Sequence, residues 1–191
     1  MTCRAVVLAT PAHVARSLVV PLDLACKRLL DAVRYGTYTV VAIVADAPEL
    51  RDFRYMVTPD RCVSLVMQQA SADRKVRTLL CYYAGRSLAF AAARDDRELV
   101  RDTLAQVCAL DLGLTPECVV FTAVQRWELA GTVISPELDE ARRESTPRAT
   151  RRVFIAGDYA CRGGWGYGMD DAICSGVATA DLVRSTILTS R

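Results

Sequence analysis

Two residues near the end of the chain combine the properties of a ligand-binding turn. Gly157 and Asp158 follow residues 153–156, a short apolar run that is typical of a strand buried on both faces. A glycine lets a ligand approach the backbone, and the carboxylate of Asp158 offers a hydrogen-bond acceptor. Open α/β sheets bind ligands at the carboxyl ends of their strands, where this pair stands. We therefore expect a ligand at Gly157 and Asp158.

The residues after this turn predict a thin loop and then a helix with one flat face. The loop is thin because it is rich in glycine, at Gly163, Gly164, Gly166 and Gly168. In the helix, Ala172, Gly176 and Ala180 recur every four residues, which places them on one side. Amide groups at the start of a helix favour negative charge, so they suit an electron-rich ring or a phosphate.

This block resembles the C-terminal flavin-binding segment of the superfamily of FAD-dependent amine oxidases and phytoene or squalene desaturases. That segment reads approximately A-G-D, a variable loop, and M-E-G-A-x-x-S-G. Here A-G-D ends at Asp158, and M-D-D-A-I-C-S-G runs from Met169 to Gly176. Asp170 stands where the superfamily has Glu, and Asp171 stands where it has Gly beside the flavin.

The resemblance implies FAD as the cofactor and assigns residues to it. Asp158, with Gly157 before it, would hydrogen-bond a hydroxyl of the ribityl chain or one close to the phosphates. Other backbone groups would lie near the pyrimidine edge of the flavin, namely those of Met169, Asp170 and Ala172. For the acids of this segment, an ordinary role at a helix N-terminus remains an alternative. No residue is identified as a catalytic acid or base.

The first residues of the chain carry a second part of the resemblance. Residues 5–9 predict a strand, and Thr10 and Pro11 end it. In the superfamily a similar strand and A-T-P turn return the chain to the flavin domain, close to the cofactor. Thr10 and Pro11 are therefore expected to contact FAD, although a plain strand-ending proline is the alternative.

The substrate side of the resemblance rests on aromatic residues. Trp165 and Tyr167 are expected to form part of a substrate wall, and Trp127 resembles an aromatic residue near the substrate cavity. Packing on the edge of the sheet is the alternative for Trp165 and Tyr167, and packing in the core is the alternative for Trp127. Gly168 stands where the amine oxidases place an aromatic cage residue. The implied substrate is an amine or an apolar, isoprenoid-like unsaturated lipid, with the open position favouring a bulkier molecule.

One motif of the superfamily is missing. A G-x-G-x-x-G turn between a strand and a helix, which would hold the FAD pyrophosphate, does not occur in the sequence. The chain therefore resembles the C-terminal half of a family member. This leaves a split protein, a truncated or misannotated reading frame, or a separate chain that supplies the other half. The alternative is a non-catalytic remnant or a substrate-domain subunit.

Composition excludes other classes of protein. The net charge of +2 gives no reason to expect nucleic-acid binding, and no apolar run is long enough for a membrane span. The eight cysteines include no C-x-x-C pair and there is one histidine, so we expect no metal site. Without a signal peptide, a reduced, cytoplasmic protein is expected.

The order of the predicted helices and strands indicates an α+β (α/β) fold with a mixed or antiparallel sheet. The resemblance implies the C-terminal portion of a two-domain FAD-linked oxidoreductase fold, in which this sheet belongs to the substrate domain and a returning strand and the terminal helix belong to the FAD domain. Strands are predicted over 38–45, 62–67, 77–83, 88–93 and 118–127, and helices over 22–33, 95–110 and 170–188. Residues 136–152 predict a surface loop. The expected organisation is a returning segment of the FAD domain (1–12), a substrate-binding domain (13–150) and a C-terminal FAD-binding segment (151–191).

Overall fold

The computed structural model of the chain describes residues 3–18, 22–69, 75–145, 150, 152–163 and 168–188. The chain divides into two compact units, of which the first contains Met1–Gly36 and Gly131–Arg191 and the second contains Thr37–Ala130. The segment 13–150, predicted as one domain, thus includes the second unit and two stretches that belong to the first. The mixed class of helices and strands is as predicted.

The helices and strands are, in chain order, β1 (Val6–Leu8), α1 (Ala12–Leu18), α2 (Leu24–Ala32), β2 (Tyr38–Asp46), β3 (Tyr55–Val57), β4 (Leu65–Gln69), β5 (Val76–Tyr83), α3 (Leu88–Ala92), α4 (Asp96–Cys108), β6 (Val119–Trp127), α5 (Pro136–Glu144), β7 (Val153–Ile155) and α6 (Met169–Leu188). Short 3₁₀ turns occur at Gly85–Ser87, Pro116–Cys118 and Asp158–Ala160.

The second unit is built on a five-stranded sheet in the order β3-β4-β5-β2-β6. All its strand pairs are antiparallel, as the sequence predicts. Strand β2 lies inside the sheet, where Val41 is opposite Cys81 of β5 and Val124 of β6. Alternate residues of β2 are buried, which is the pattern of a strand with one covered face.

The covered face of this sheet packs on helices α3 and α4. Ile43 and Leu79 from the sheet are fully buried with Leu99 and Val107 from α4. Helix α4 starts with a capping box, in which the Glu98 amide donates to Asp95 Oδ1 at 2.8 Å and the Asp95 amide donates to Glu98 Oε2 at 3.2 Å. The predicted start of this helix is therefore confirmed.

The first unit is built around the parallel pair β1–β7 and the helices α1, α2, α5 and α6. Its core contains apolar residues from several of these elements, fully or nearly fully buried: Ala15, Leu29, Leu30, Leu138, Ile155 and Tyr159. Among the described residues, no helix is long and apolar enough to cross a membrane.

Two sequence-based predictions of secondary structure are wrong. Residues 88–93 were expected to form a strand but contain α3, because the run L-A-F-A-A is rich in alanine, the strongest helix former. Residues 136–152 were expected to form a loop, yet they begin with α5. Here Ser135 caps the helix through its Oγ, Pro136 is at the first position, and Leu138 and Ala141 are buried.

Candidate functional site

The parallel pairing of β1 with β7 brings two predicted site segments to the same edge. Val6 is opposite Val153 and Leu8 is opposite Ile155. The Ala156 amide continues the ladder by donating to the Leu8 carbonyl at 3.0 Å. Because parallel strands end at the same edge, the turn after β1 and the turn after β7 are neighbours. Residues about 150 positions apart in the sequence thus share one site.

Asp158 is held by hydrogen bonds on both of its carboxylate oxygens. Oδ1 accepts from the Tyr159 amide at 2.9 Å, and Oδ2 accepts from Thr132 Oγ1 at 3.1 Å. The side chain is half-buried at the start of the 3₁₀ turn. A carboxylate has about four acceptor positions, so Asp158 keeps capacity for a hydroxyl group of a ligand.

Gly157 is required by packing against its neighbour. A Cβ atom at this position would lie 2.7 Å from Cε1 of Tyr159, a buried ring. The backbone at Gly157 is extended, with a φ of 162°, so conformation alone does not demand glycine. From the sequence, a glycine here is expected to leave room for a ligand, whereas in the structure the contact with Tyr159 requires it. Cofactor contact at Gly157 stays a prediction.

Thr10 and Pro11 form the other side of this edge. The Pro11 carbonyl accepts from the amides of Val14 and Ala15, at 3.0 and 2.9 Å, and so starts helix α1. The Thr10 carbonyl is also bonded, but Thr10 Oγ1 is buried and has no hydrogen-bond partner in the described part of the chain. A buried hydroxyl without a partner is unfavourable, typically by about 1–3 kcal/mol, and marks a place for a polar ligand atom.

Two tyrosines that the sequence analysis did not single out hold the Thr10–Pro11 turn. Tyr159 Oη donates to the Thr10 carbonyl at 3.0 Å, and the Ala12 amide donates to Tyr35 Oη at 2.7 Å. Burial raises the pKa of each phenol, and the charge of Asp158 adds to the rise. Both tyrosines therefore stay protonated at neutral pH. No local sequence motif identifies them, because each contact joins residues far apart in the chain.

Helix α6 is fixed to the site by two side chains. Ser175 Oγ accepts from the Gly157 amide at 3.2 Å, and Thr179 Oγ1 donates to the Ile155 carbonyl at 3.0 Å. The buried face of the helix contains Asp171, Ser175 and Thr179. Ser175 and Thr179 were missed at the sequence level, although their four-residue spacing was available as a signal.

The flat face of α6 does not pack as expected. Ala172 and Ala180 are exposed, and a Cβ atom at Gly176 would meet nothing within 4 Å. The flat face that the sequence predicts is therefore not the face that packs here. Polar side chains of the adjacent face, Ser175 and Thr179, make the hydrogen bonds to β7 and its turn instead.

The residues predicted near the pyrimidine edge lie at the start of α6. Met169 is 82% exposed, and Asp170 and Ala172 are also exposed. Asp170 and Asp171 both lie in the first turn of α6, where a negative charge interacts favourably with the positive end of the helix dipole. Gly168, just before the helix, has a φ of 109°, a conformation that favours glycine over any aromatic residue.

The predicted substrate residues are not gathered by the described structure. Trp165 and Tyr167 lie outside the described residues. Trp127 belongs to the second unit, is 52% exposed, and lines a groove of about 860 Å³ together with Tyr38 and Arg126. Packing inside the core, the alternative for Trp127, does not describe this position. A substrate role stays a prediction for all three residues.

Histidine, cysteine and acidic side chains form no cluster of three or more that would hold a metal ion within the described ranges. The chemistry of the site is therefore that of hydroxyl groups, backbone amides and one carboxylate. Such donors and acceptors suit an organic ligand with several hydroxyl and carbonyl groups.

Comparisons with known proteins agree with the resemblance seen in the sequence. Residues 1–184 match the family described as flavin containing amine oxidoreductase. Cyclohexylamine oxidase from Brevibacterium oxydans IH-35A has a similar structure, with a TM-score of 0.73 and 17% identity, over 100% of this chain and 44% of that one. A wild-type putrescine oxidase bound to putrescine is also similar, with a TM-score of 0.71 and 13% identity, over 94% of this chain and 42% of that one. No curated protein matches the sequence.

These comparisons also fix the relative length of the chain. It spans less than half of each of the two solved structures to which it is similar. At 17% and 13% identity, the structural similarity establishes only the fold. Membership of the family rests on the family match over residues 1–184.

Replacing Gly157 by alanine is expected to destabilise the first unit by about 1–3 kcal/mol, because the new methyl group would overlap the fixed ring of Tyr159. Gly176→Ala is the matched control, since the same methyl group would point into open space on a helix. It should be neutral or stabilise by up to about 1 kcal/mol. Urea unfolding of both variants measures the difference. Equal stabilities would contradict the packing of Gly157 against Tyr159.

Proposed function

Because the chain belongs to the flavin containing amine oxidoreductase family, we propose that it is the part of an FAD-dependent oxidoreductase that holds one side of the flavin. The observation that carries the proposal is the parallel register of β1 and β7, which makes neighbours of the Thr10–Pro11 turn and Gly157–Asp158. The sequence analysis assigns both segments to FAD through two separate motifs of the same resemblance.

The residues present fit this cofactor in two respects. Thr10 Oγ1 is a buried hydroxyl that no other described group satisfies, and FAD carries many oxygen and nitrogen atoms that would satisfy it. Asp158 has acceptor capacity for a ribityl or ribose hydroxyl beyond its two internal bonds. In this proposal Thr10, Pro11, Gly157 and Asp158 hold the cofactor, with backbone groups of Met169, Asp170 and Ala172 near the pyrimidine edge.

When bound, the flavin supplies the oxidising chemistry by accepting a hydride from a C–H bond of the substrate. The chain's own contribution is to bind and orient. The hydrogen bonds from Thr132 and from the Tyr159 amide fix the orientation of the Asp158 carboxylate, and helix α6 holds the Gly157 backbone in place through Ser175.

We propose an amine as the substrate class. The similar solved structures are oxidases of cyclohexylamine and of putrescine by name, and this favours an amine over a lipid. Gly168 favours the bulkier members of the class or an apolar, isoprenoid-like substrate, since its positive φ disfavours an aromatic wall residue there. Assays of the assembled enzyme with cyclohexylamine, putrescine and an isoprenoid would separate these classes. Turnover of the isoprenoid alone would overturn the amine proposal.

We further propose that a segment outside this sequence, in the same polypeptide or in a partner chain, supplies the pyrophosphate-binding part of the fold. The sequence contains no G-x-G-x-x-G turn, and the chain spans less than half of the similar structures. The outer face of α6 supports this, because Ile173 and Val177 are 63% and 60% exposed, and no charged residue occurs over 172–180. A helix without charge around its circumference is typical of a buried helix.

The exposed face of α6 gives a test of this partner. We expect the chain alone to bind a hydrophobic dye, and the pair Ile173→Lys and Val177→Lys to lower that binding several-fold. Ala178→Lys adds one positive charge to an exposed position of the same helix without removing a large apolar side chain, and it should leave dye binding nearly unchanged. A wild-type chain that binds no dye would argue for a surface that needs no partner, and so for the alternative of an independent, non-catalytic protein.

Asp158→Ala is expected to weaken FAD binding on the order of 10- to 100-fold, as is typical when a hydrogen bond to a charged acceptor is lost. Asp181→Ala removes an exposed acid on α6, away from the turn that contains Asp158, and serves as the matched control. Titration with FAD, followed by quenching of flavin fluorescence, gives both dissociation constants. We expect binding to the chain alone to be weak but saturable, since the pyrophosphate turn is missing. An unchanged constant in Asp158→Ala would remove Asp158 from the site.

A further inference from the structure

We propose that Tyr159 and Tyr35 are positioning residues, which together hold the Thr10–Pro11 turn in the orientation that the cofactor meets. This inference rests on the proposed function, because it assigns the two tyrosines to the same flavin site. Nothing in the sequence motifs points to either residue. The geometry does so, because their hydroxyl groups bind the backbone on either side of Pro11.

Tyr159 is tied to the site at three points. Its Oη donates to the Thr10 carbonyl at 3.0 Å, its amide donates to Asp158 Oδ1 at 2.9 Å, and its carbonyl accepts from Arg142 Nε at 3.0 Å. The side chain is only 2% exposed, and its ring packs against Gly157. Tyr159 therefore fixes the Thr10–Pro11 turn relative to the turn that contains Asp158.

Tyr35 approaches the same turn from another element. Its Oη accepts from the Ala12 amide at 2.7 Å, and its ring meets that of His13 edge to face at 5.9 Å. The backbone of Tyr35 forms an isolated antiparallel bridge with Thr132. Thr132 in turn donates from Oγ1 to Asp158 Oδ2 at 3.1 Å. The position of Tyr35 is thus linked to the same carboxylate.

The contacts close a ring around the site. From Asp158 the ring runs through Tyr159 to the Thr10 carbonyl, along the turn to the Ala12 amide, and through Tyr35 and Thr132 back to Asp158. Both backbone groups of the turn are therefore satisfied from inside the protein. Thr10 Oγ1 is a buried side-chain hydroxyl of the turn that has no partner among the described residues.

Because of this closed series of contacts, the two tyrosines have a role in addition to packing in the core. A hydroxyl group that contacts a ligand must be held to within a fraction of an ångström, and it is held by the groups that fix its backbone. Burial keeps the pKa of both phenols raised, so their hydroxyl hydrogens remain bound and Tyr159 continues to donate to Thr10. Phenylalanine at either position would keep the packing and remove only the bond to the turn.

A double-mutant cycle distinguishes positioning from plain structural support. The variants are Tyr159→Phe, Tyr35→Phe, Thr10→Val and the pair Tyr159→Phe with Thr10→Val. Tyr38→Phe is the control, because Tyr38 is partly exposed on β2 in the other unit. The FAD dissociation constant is measured by flavin fluorescence, and urea unfolding of the same samples reports stability.

We expect Tyr159→Phe and Tyr35→Phe each to raise the dissociation constant about 3- to 10-fold, the effect of one net hydrogen bond, and Tyr38→Phe to leave it unchanged. Thr10→Val should raise it by a similar factor. The pair should be no worse than Thr10→Val alone, because the tyrosine acts through the orientation of that hydroxyl.

The opposite results overturn the inference. If wild-type chain binds FAD and Tyr159→Phe binds it equally well while unfolding more easily, the tyrosine supports the fold and does not position the site. If the effects of Tyr159→Phe and Thr10→Val multiply, Tyr159 acts independently of Thr10. A wild-type chain with no saturable FAD binding would instead refute the proposed function first, and this inference with it, so the two failures are distinguishable.

Discussion

The parallel pairing between β1 and β7 is the interaction on which the candidate site depends. Each strand has three paired residues, and they come from opposite ends of the chain. A short parallel pair is weak by itself, so its position must be secured by the elements that pack around it. Helix α6 does this through Thr179 and Ser175, which bind the end of β7 and the Gly157 amide. The site exists because these contacts align two strand ends.

Further contacts, made by Tyr159 and Asp158, fix the positions of the two turns that follow these strands. Gly157 allows the ring of Tyr159 to approach the backbone, and the ring in turn brings its hydroxyl group to the Thr10 carbonyl. Asp158 is shared between the Tyr159 amide and Thr132. The carboxylate proposed to bind the cofactor is thus also part of the framework. Cofactor binding and protein stability are therefore coupled at Asp158, so a substitution of this residue must be followed by both FAD titration and urea unfolding.

Much of this arrangement could be predicted from the sequence, and the rest could not for physical reasons. Three local signals each gave the correct element, namely the apolar run before Gly157, the acids that start α4 and the β-branched residues of β2. Helix α5 was missed because its polar surface outweighed a clear capping signal at Ser135. Tyr159 and Tyr35 were not found, because their partners at Thr10 and Ala12 are 149 and 23 residues away and no periodicity encodes such contacts.

The central claim is that the turns after β1 and β7 together meet the flavin. Changes in backbone amide NMR shifts on addition of FAD test it most directly, because each turn reports separately. The account predicts that the largest changes occur at Thr10, Gly157 and Asp158, appear together with one dissociation constant, and are small throughout residues 37–130. Changes confined to that second unit, or changes at only one of the two turns, would contradict it.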